Sequence, residues 1–391
     1  MTWLNGLIAL ISLLTIFKAP AKPLWFLALG VTEWGHLMAL GSILLALFSW
    51  KHTRSWGLAS WLAMIATIFY LTPLMRAIRM ARALPVQLEA RFGHASPRET
   101  LDAPSRSQPL NFLDLFRGIS SLAPRMTTYL YATHNGQSLS LDLYEPINRP
   151  QDGQLLPGVI IVHGGSWQSG DRKELSELNR YLAARGYLVA SIDYRLAPQA
   201  TFPAQQEDVF EAIAYLKDHA KTLNLDKERF VLIGRSAGGQ IALSAAYAQK
   251  ESAIKGVIVF YAPNDLIWGY SMPANPLIMN SQQVIERYLG GSPSSVPNNY
   301  RDASPLLFVN SSTPPTLMIH GVRDELVSAM HEERLSKRLE ASRRPYFYLR
   351  LPWATHGCDV NFNGPCGQLS TFAVERFLAY VMPSSKKHQR A

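Results

Sequence analysis

The chain has 391 residues, of which 48% are hydrophobic and 17% charged, and a formal net charge of +9. That composition excludes a disordered or collagen-like chain and leaves room for more than one folded unit around a sizeable core. The positive charge does not read as nucleic-acid binding, because the basic residues form no aromatic-interleaved patch and no groove-reading motif. Many of them flank apolar segments (Arg76, Arg79, Arg82, Arg91, Arg98) or sit in the tail (Lys386, Lys387, Arg390), which makes membrane lipids with anionic headgroups the expected partner.

In chain order, the first feature is a set of apolar segments. Residues 56–75, WGLASWLAMIATIFYLTPLM, carry no charge. As a helix at about 1.5 Å per residue this run is about 30 Å long, the thickness of a bilayer core. Two further candidates precede it, at 35–50 (GHLMALGSILLALFSW) and 3–17 (WLNGLIALISLLTIF). Trp25, Trp34, Trp50 and Trp56 suit membrane interfaces, and Glu33 and His36 read as interfacial rather than intramembrane groups. Two or three transmembrane helices are therefore predicted within residues 1–82. The segment 3–17 has no basic leader and no small-x-small cleavage site, so it reads as a retained anchor. Lys18, Lys22 and the Arg76–Arg82 cluster fall on one side of the spans, Lys51 and Arg54 on the other. Positive-inside logic then gives a multi-pass membrane protein whose remaining chain is cytoplasmic. Residues 83–124, punctuated by Pro85, Pro97, Pro104 and Pro109, read as a linker or amphipathic connector.

From 125 the texture changes. Short apolar runs at 158–162 (GVIIV), 188–192 (LVASI), 230–233 (FVLI), 256–260 (GVIVF), 316–319 (TLMI) and 346–351 (YFYLRL) alternate with helical patterns. The helical patterns lie at 175–185, 205–222, 240–249, 331–342 and 369–382. Strands that are apolar throughout are buried on both faces, so residues 125–383 are expected to form a mostly parallel sheet flanked by helices. A polar, basic tail follows at 384–391. In such sheets chemistry gathers at the carboxyl ends of the strands.

The residues just past those ends bear this out as a pattern. After FVLI comes Gly234-Arg235-Ser236-Ala237-Gly238, a G-x-S-x-G match in which small neighbours allow a sharp strand-to-helix turn with the serine at its apex. The bland alternative is a glycine-rich turn with an incidental serine. After GVIIV comes His163-Gly164-Gly165-Ser166-Trp167, where the backbone N–H groups of Gly164 and Gly165, with that of Ala237, form a candidate oxyanion hole. His163 reads as a packed loop support. After TLMI comes His320-Gly321-Val322-Arg323-Asp324-Glu325, and after YFYLRL comes Pro352-Trp353-Ala354-Thr355-His356-Gly357. A serine hydroxyl needs a base, and an imidazole base needs a carboxylate to fix its tautomer. Ser236, Asp324 and His356 supply that set as candidate catalytic residues. Glu325 competes with Asp324 for the acid role, while His320 and Asp265 fit the chain order worse.

The motifs HGGSW, DYRLAP (193–198), FPA (202–204), GRSAGG, HGVRDELV and THG together resemble the α/β-hydrolase esterases of the hormone-sensitive-lipase and feruloyl-esterase-like branch, over residues 125–383. The resemblance implies an α/β-hydrolase fold and a carboxylic-ester hydrolase that forms an acyl-serine on Ser236. Asp324 and His356 would be its partners, with an oxyanion hole from Gly164, Gly165 and Ala237. HGGSW also resembles the HGGxW of arylformamidases and prenylcysteine methylesterases. Arg235, where lipase-like members often have Asp, and Ser166, in place of a third glycine, depart from the pattern and bear on the substrate.

Residues 268–300 read as an excursion between core strands, in which Trp268, Tyr270, Met272 and Met279 are candidates, with Trp167, for the substrate pocket or a lid, with ordinary packing of a surface excursion as the equal alternative. No metal-ligand spacing, P-loop or dinucleotide fingerprint is present, so no cofactor and no metal are expected. Cys358 and Cys366, the only cysteines, read either as reduced thiols, in keeping with a cytoplasmic domain, or as a disulfide that would pin the loop after His356 and imply an oxidising compartment, with the reduced pair preferred. Asp359 and Asn361 read as loop-capping groups. The expected activity is that of a membrane-anchored serine esterase or lipase on an ester, lipid-like if the membrane supplies it. Amide cleavage, acyl transfer on the same site and a catalytically silent binding module are the rivals, and the intact catalytic set argues against the last.

Overall fold

The computed structural model describes residues 2–98, 103–118, 123–147, 154–248 and 251–383, so the predicted tail at 384–391 lies outside the described residues. The N-terminal part is helical: α1 (Thr2–Ser12), α2 (Lys22–Glu33), α3 (Gly35–Thr53) and α4 (Leu58–Phe92). Helices α3 and α4 are antiparallel neighbours that meet along small residues. Ala39, Ser42, Ala46 and Ser49 of α3 and Ser60, Ala63 and Ala66 of α4 are buried, so the two backbones approach closely. Their outer faces carry exposed apolar side chains, among them Leu40, Leu44, Phe48, Trp61, Ile65 and Ile68.

This differs from the expected two or three spans. One described helix, α4, is long and apolar enough to cross a membrane, while α2 and α3 qualify only as a pair bent by 86°. The segment 3–17 is too short: it forms α1 and a 3-10 turn at Leu13–Thr15. The bend falls at Trp34, and it turns Glu33 and His36, expected at a membrane interface, into the protein instead. Glu33 is fully buried against the catalytic part, where its carboxylate accepts the N–H of Cys366 at 3.1 Å. His36 reaches the carbonyl of Leu115 at 3.1 Å.

The linker expected from 83 is also revised. Helix α4 continues through Pro85 to Phe92, about 52 Å in all, more than a bilayer core requires. Its last turns are held by packing rather than propensity. Leu84, Leu88 and Phe92 are buried, and the Phe92 ring meets Phe377 and Tyr380 at centroid distances of 5.4 and 4.9 Å. The following described stretch docks through Arg106, whose N–H donates to the Glu375 carboxylate at 3.0 Å.

The rest of the chain builds one eight-stranded sheet in the order β1-β2-β4-β3-β5-β6-β7-β8. The strands are β1 (Arg125–His134), β2 (Gln137–Glu145), β3 (Leu156–Val162), β4 (Leu188–Ile192), β5 (Leu225–Arg235), β6 (Ile254–Phe260), β7 (Thr316–Gly321) and β8 (Tyr346–Leu351). The hairpin β1–β2 and the β2–β4 pair are antiparallel; β4, β3, β5, β6, β7 and β8 run parallel. Every residue of β3 and β4 is buried, as continuous apolar strands require. Alternate residues feed opposite layers: Ile160 and Val162 pack towards the helices Ala204–Asp218 and Ala237–Tyr247. Val159 and Ile161 pack towards Ser176–Ala183, Pro365–Val381 and the end of α4. Loops at the carboxyl ends of β3, β5, β7 and β8 converge on one rim.

Cys358 and Cys366 are joined by a disulfide, contrary to the reduced pair expected. After Gly357 (φ 78°) the chain makes a 3-10 turn at Cys358–Val360 and enters the helix Pro365–Val381, which brings the two Cα atoms to 5.8 Å.

Candidate active site

Strand β5 ends at Arg235, and Ser236 turns the chain into the helix Ala237–Tyr247 with φ 51° and ψ −120°. That left-handed geometry is strained for a residue with a side chain and persists only where packing enforces it. The enforcement comes from glycines: a Cβ on Gly238 would lie 2.1 Å from the His163 carbonyl, and one on Gly234 2.2 Å from the Gly238 carbonyl. No larger residue fits either position, so the elbow and the β3 loop interlock. The Ser236 hydroxyl lies 3.0 Å from His356 Nε2. On the far side of that ring, Nδ1 lies 2.6 Å from Asp324 Oδ2. The structure thus brings together three residues from β5, β7 and β8 loops that are up to 120 positions apart.

Asp324 is fully enclosed. Its Oδ1 accepts the N–H groups of Leu326 and Val327, each at 2.8 Å, and its Oδ2 is also 3.0 Å from His320 Nε2. Burial alone raises a carboxyl pKa, but the His356 charge and the hydrogen bonds of His320 and His356 outweigh it and hold Asp324 well below the usual range. Glu325, the rival acid, faces elsewhere, towards Thr355 and the N–H of Ala19. His320, which chain order sets aside, instead bridges two carboxylates, with Nδ1 at 2.5 Å from Glu332 Oε2. Burial lowers its pKa, yet the Glu332 charge and the bonds to Asp324 and Glu332 prevail and raise it to about 10.

Along the β3 loop, Gly165 adopts φ 109°, and Ser166 and Trp167 follow in left-handed conformations. A Cβ on Gly164 would touch Ser236 Cβ at 3.6 Å, so this loop lies directly against the elbow. His163 stacks on Tyr194 at 4.2 Å and serves as support, not as a base. Arg235 is buried and pairs with Asp359 at 2.6 Å, while Tyr261 donates to the same carboxylate at 2.5 Å. Asp359 is therefore a buried counter-ion behind the elbow rather than a loop cap. Asn361 donates its side-chain amide to the Glu33 carbonyl at 3.2 Å.

A cavity of about 50 Å³ opens beside Ser236 and Ala237, walled by Trp167, Leu266, Met272, Met279, Ile285 and Val327. Trp167 is fixed there, its indole N–H donating to Gln240 at 2.9 Å and its ring stacked on Tyr288 at 4.3 Å. Trp268 and Tyr270 do not line it. Trp268 packs edge-on against His331 at 4.8 Å, and the Tyr270 hydroxyl donates to Glu286 at 2.6 Å.

The N-terminal segment reaches this rim, which the sequence does not signal. The Lys18 ammonium donates to the Asp324 carbonyl at 3.0 Å, and the Ala19 N–H to Glu325 at 2.9 Å. Arg323 in turn donates to the carbonyls of Leu14 and Phe17. Among the described residues one group has metal-like spacing, His134, Asp208 and Glu211. It does not fit a cation, because the Arg195 guanidinium already sits 2.7 Å from Asp208.

The sequence profile of the BD-FAE family matches residues 141–339, half of the chain. The chain belongs to the BD-FAE family. The matched region runs from β2 into the helix Met330–Ala341, so it includes Ser236 and Asp324 and stops before His356. Among curated relatives, this BD-FAE protein is 26% identical to the probable carboxylic ester hydrolase LipM of Mycobacterium tuberculosis, over 91% of this chain and 86% of LipM. It is 32% identical to the esterase LipC of the same organism, over 52% of this chain and 53% of LipC. Among solved structures, a hyperthermophilic esterase of the archaeon Pyrobaculum calidifontis aligns with a TM-score of 0.56 at 24% identity, covering 67% of this chain and 85% of that one. A truncated carbohydrate esterase from gut microbiota aligns at 0.55 and 20% identity over 66% of this chain and 98% of that one. These likenesses show the α/β-hydrolase fold. The named curated relatives make the BD-FAE protein a carboxylic ester hydrolase.

Proposed function

We propose that the protein cleaves esters through an acyl-serine intermediate on Ser236 while its N-terminal helices hold it to a membrane. The observation that carries the mechanism is the unbroken line Ser236–His356–Asp324, at 3.0 and 2.6 Å. His356 Nε2 takes the hydroxyl proton as Ser236 Oγ bonds to the ester carbonyl carbon. The Asp324 carboxylate fixes the ring through Nδ1 and stabilises the imidazolium. The N–H groups of Gly164, Gly165 and Ala237 receive the oxyanion, and His356 returns its proton to the departing alkoxide. Water then attacks the acyl-serine, giving its proton to His356, and the acid leaves as Ser236 is restored. Hydrolysis of p-nitrophenyl acetate by the detergent-solubilised protein, lost in Ser236→Ala, is the expected result; equal turnover by both would contradict the mechanism.

The anchoring reading rests on α4 and the apolar outer faces of α3 and α4. Alkaline carbonate extraction is expected to leave the full chain in the membrane pellet, and its release to the supernatant would refute the anchor. For the membrane side, Arg76, Arg79 and Arg82 favour the cytoplasm. The Cys358–Cys366 disulfide supports a second reading, with the catalytic part in an oxidising compartment. Acid-trapping of thiols in intact cells, followed by alkylation under denaturing conditions, separates the two: labelling without reductant assigns the cytoplasm, and labelling only after reduction assigns the oxidising side.

A further inference from the structure

Two features of the site point the two halves of an ester in opposite directions. The first is the cavity. Its wall includes Ser236 and Ala237, with His356 outside it. The departing alkoxide must take its proton from His356 Nε2, so the alcohol half lies on the His356 side and the acyl half on the cavity side. A cavity of 150 Å³ holds benzene, so one of about 50 Å³ holds about two or three non-hydrogen atoms, the size of an acetyl or propionyl group. On one side the wall is fixed, since Trp167 is both stacked and hydrogen-bonded.

The second feature is α2, which crosses the rim on the His356 side. Its N-terminal end is tied to the excursion, with the Lys22 N–H donating to the Leu277 carbonyl at 3.1 Å and the Asn275 side chain to the Pro20 carbonyl at 2.9 Å. Its other end is tied to the loop past His356, through Glu33 to Cys366 and Asn361. Between them, Leu29 lies 3.9 Å from where a Cβ on Gly357 would stand, next to His356. Helix α2 makes an 86° angle with α3, so if α3 follows the membrane normal beside α4, α2 lies in the membrane plane. The outward face of α2 is apolar, with Leu24, Phe26 and Leu27 exposed. Arg79 and Arg82, exposed on α4 past its apolar stretch, supply the positive charge that meets anionic headgroups.

We propose that α2 is an interfacial helix that seats the alcohol side of the active site on the bilayer surface, and that the substrate class is short-chain acyl esters, acetyl-like, of long-chain alcohols resident in the membrane. This deepens the acyl-serine, membrane-anchored reading above and rests on it. A long acyl chain exceeds the space beside Ser236, and water-soluble acetates lack the half that α2 recruits.

The test uses the full chain reconstituted in phosphatidylcholine and phosphatidylglycerol vesicles, with two isomeric esters, hexadecyl acetate and ethyl hexadecanoate. They are matched in mass and apolar length and differ only in which half is long. Hexadecyl acetate is expected to turn over at least about tenfold faster, the discrimination a size-limited pocket provides. Met279→Ala is expected to move the preferred acyl group from acetyl towards butyryl in hexadecyl esters. The double variant Phe26→Asp, Leu27→Asp is expected to lower the ratio of hexadecyl acetate to p-nitrophenyl acetate turnover about tenfold, because the charges oppose interfacial seating. Equal or faster cleavage of ethyl hexadecanoate overturns the inference, as does an unchanged ratio in the double variant. In both cases, loss of p-nitrophenyl acetate turnover in Ser236→Ala leaves the esterase reading standing. Retention of that activity in Ser236→Ala sinks the esterase reading, and this inference with it.

Discussion

Asp324→Asn is the perturbation that separates this site from its nearest alternative. In the structure Oδ2 of Asp324 accepts from His356 Nδ1 at 2.6 Å and from His320 Nε2 at 3.0 Å. An amide placed there either turns its NH2 group towards the two imidazoles, which need an acceptor, or keeps its oxygen towards them and sets its NH2 group against the N–H groups of Leu326 and Val327, losing those bonds. Only the bond from His356 strengthens when its imidazolium forms, since His320 is bound to the acid throughout. That charge-assisted bond, worth about 1.5–3 kcal/mol, corresponds to about 10–10² in kcat, with KM changed little because the carboxylate touches no substrate. Glu325→Gln provides the contrast, since Glu325 faces Thr355 and Ala19 rather than His356. Its kcat is expected to stay within about tenfold of the parent. Steady-state kinetics on p-nitrophenyl acetate in detergent, with circular dichroism to confirm folding, measures both. A kcat for Asp324→Asn within tenfold of the parent, or an equal loss in Glu325→Gln, would refute the acid assignment.

Three further outcomes follow from the same neighbourhood. His320, raised to about 10 by Glu332 and Asp324, contributes stability that is full below about pH 6.5 and is lost as pH rises towards 10, so the melting temperature should fall across that window. In His320→Gln that slope should flatten; an identical slope would show that His320 is not the titrating group. Arg235→Met leaves Asp359 a buried carboxylate without its ion pair, at a cost of about 3 kcal/mol and a melting temperature lower by about 5 °C. Unchanged melting would show that the pair is dispensable. Reducing the disulfide opens a loop with a sequence separation of 8, which in the chain-entropy account costs about 2.5 kcal/mol, readable as a lower denaturant midpoint in Cys358→Ala, Cys366→Ala. A midpoint equal to the parent would mean the two thiols are not joined.

Much of the catalytic half was legible because its signals are local. The runs GVIIV and FVLI are apolar throughout, and only a strand buried on both faces accounts for that at such length. The need for Gly234 is likewise local, since the clash it avoids is with Gly238 in the same turn, whereas the clash Gly238 avoids is with the His163 loop 75 positions away. The N-terminal half was less legible for the opposite reason. Leu84, Leu88 and Phe92 carry the spacing of one helix face, but Pro85 and the charges around it mask that spacing. The packing against Phe377 and Tyr380 that holds the helix comes from residues nearly three hundred positions away. The bond from Lys18 to Asp324 spans 306 positions and has no sequence signature. Trp268 and Tyr270 looked like pocket residues because aromatic side chains suit pockets. Their partners His331 and Glu286, which turn them aside, belong to helices whose placement only the fold decides.

The central claim is that Ser236 carries the acyl group, and trapping that intermediate tests it most directly. The protein would be mixed with p-nitrophenyl acetate, quenched in acid during steady-state turnover, digested and examined by tandem mass spectrometry. An acetyl group on the peptide containing Ser236, assigned to that hydroxyl and absent from Ser236→Ala, is the predicted result. Acetylation at another residue, or undiminished turnover in Ser236→Ala, would contradict it.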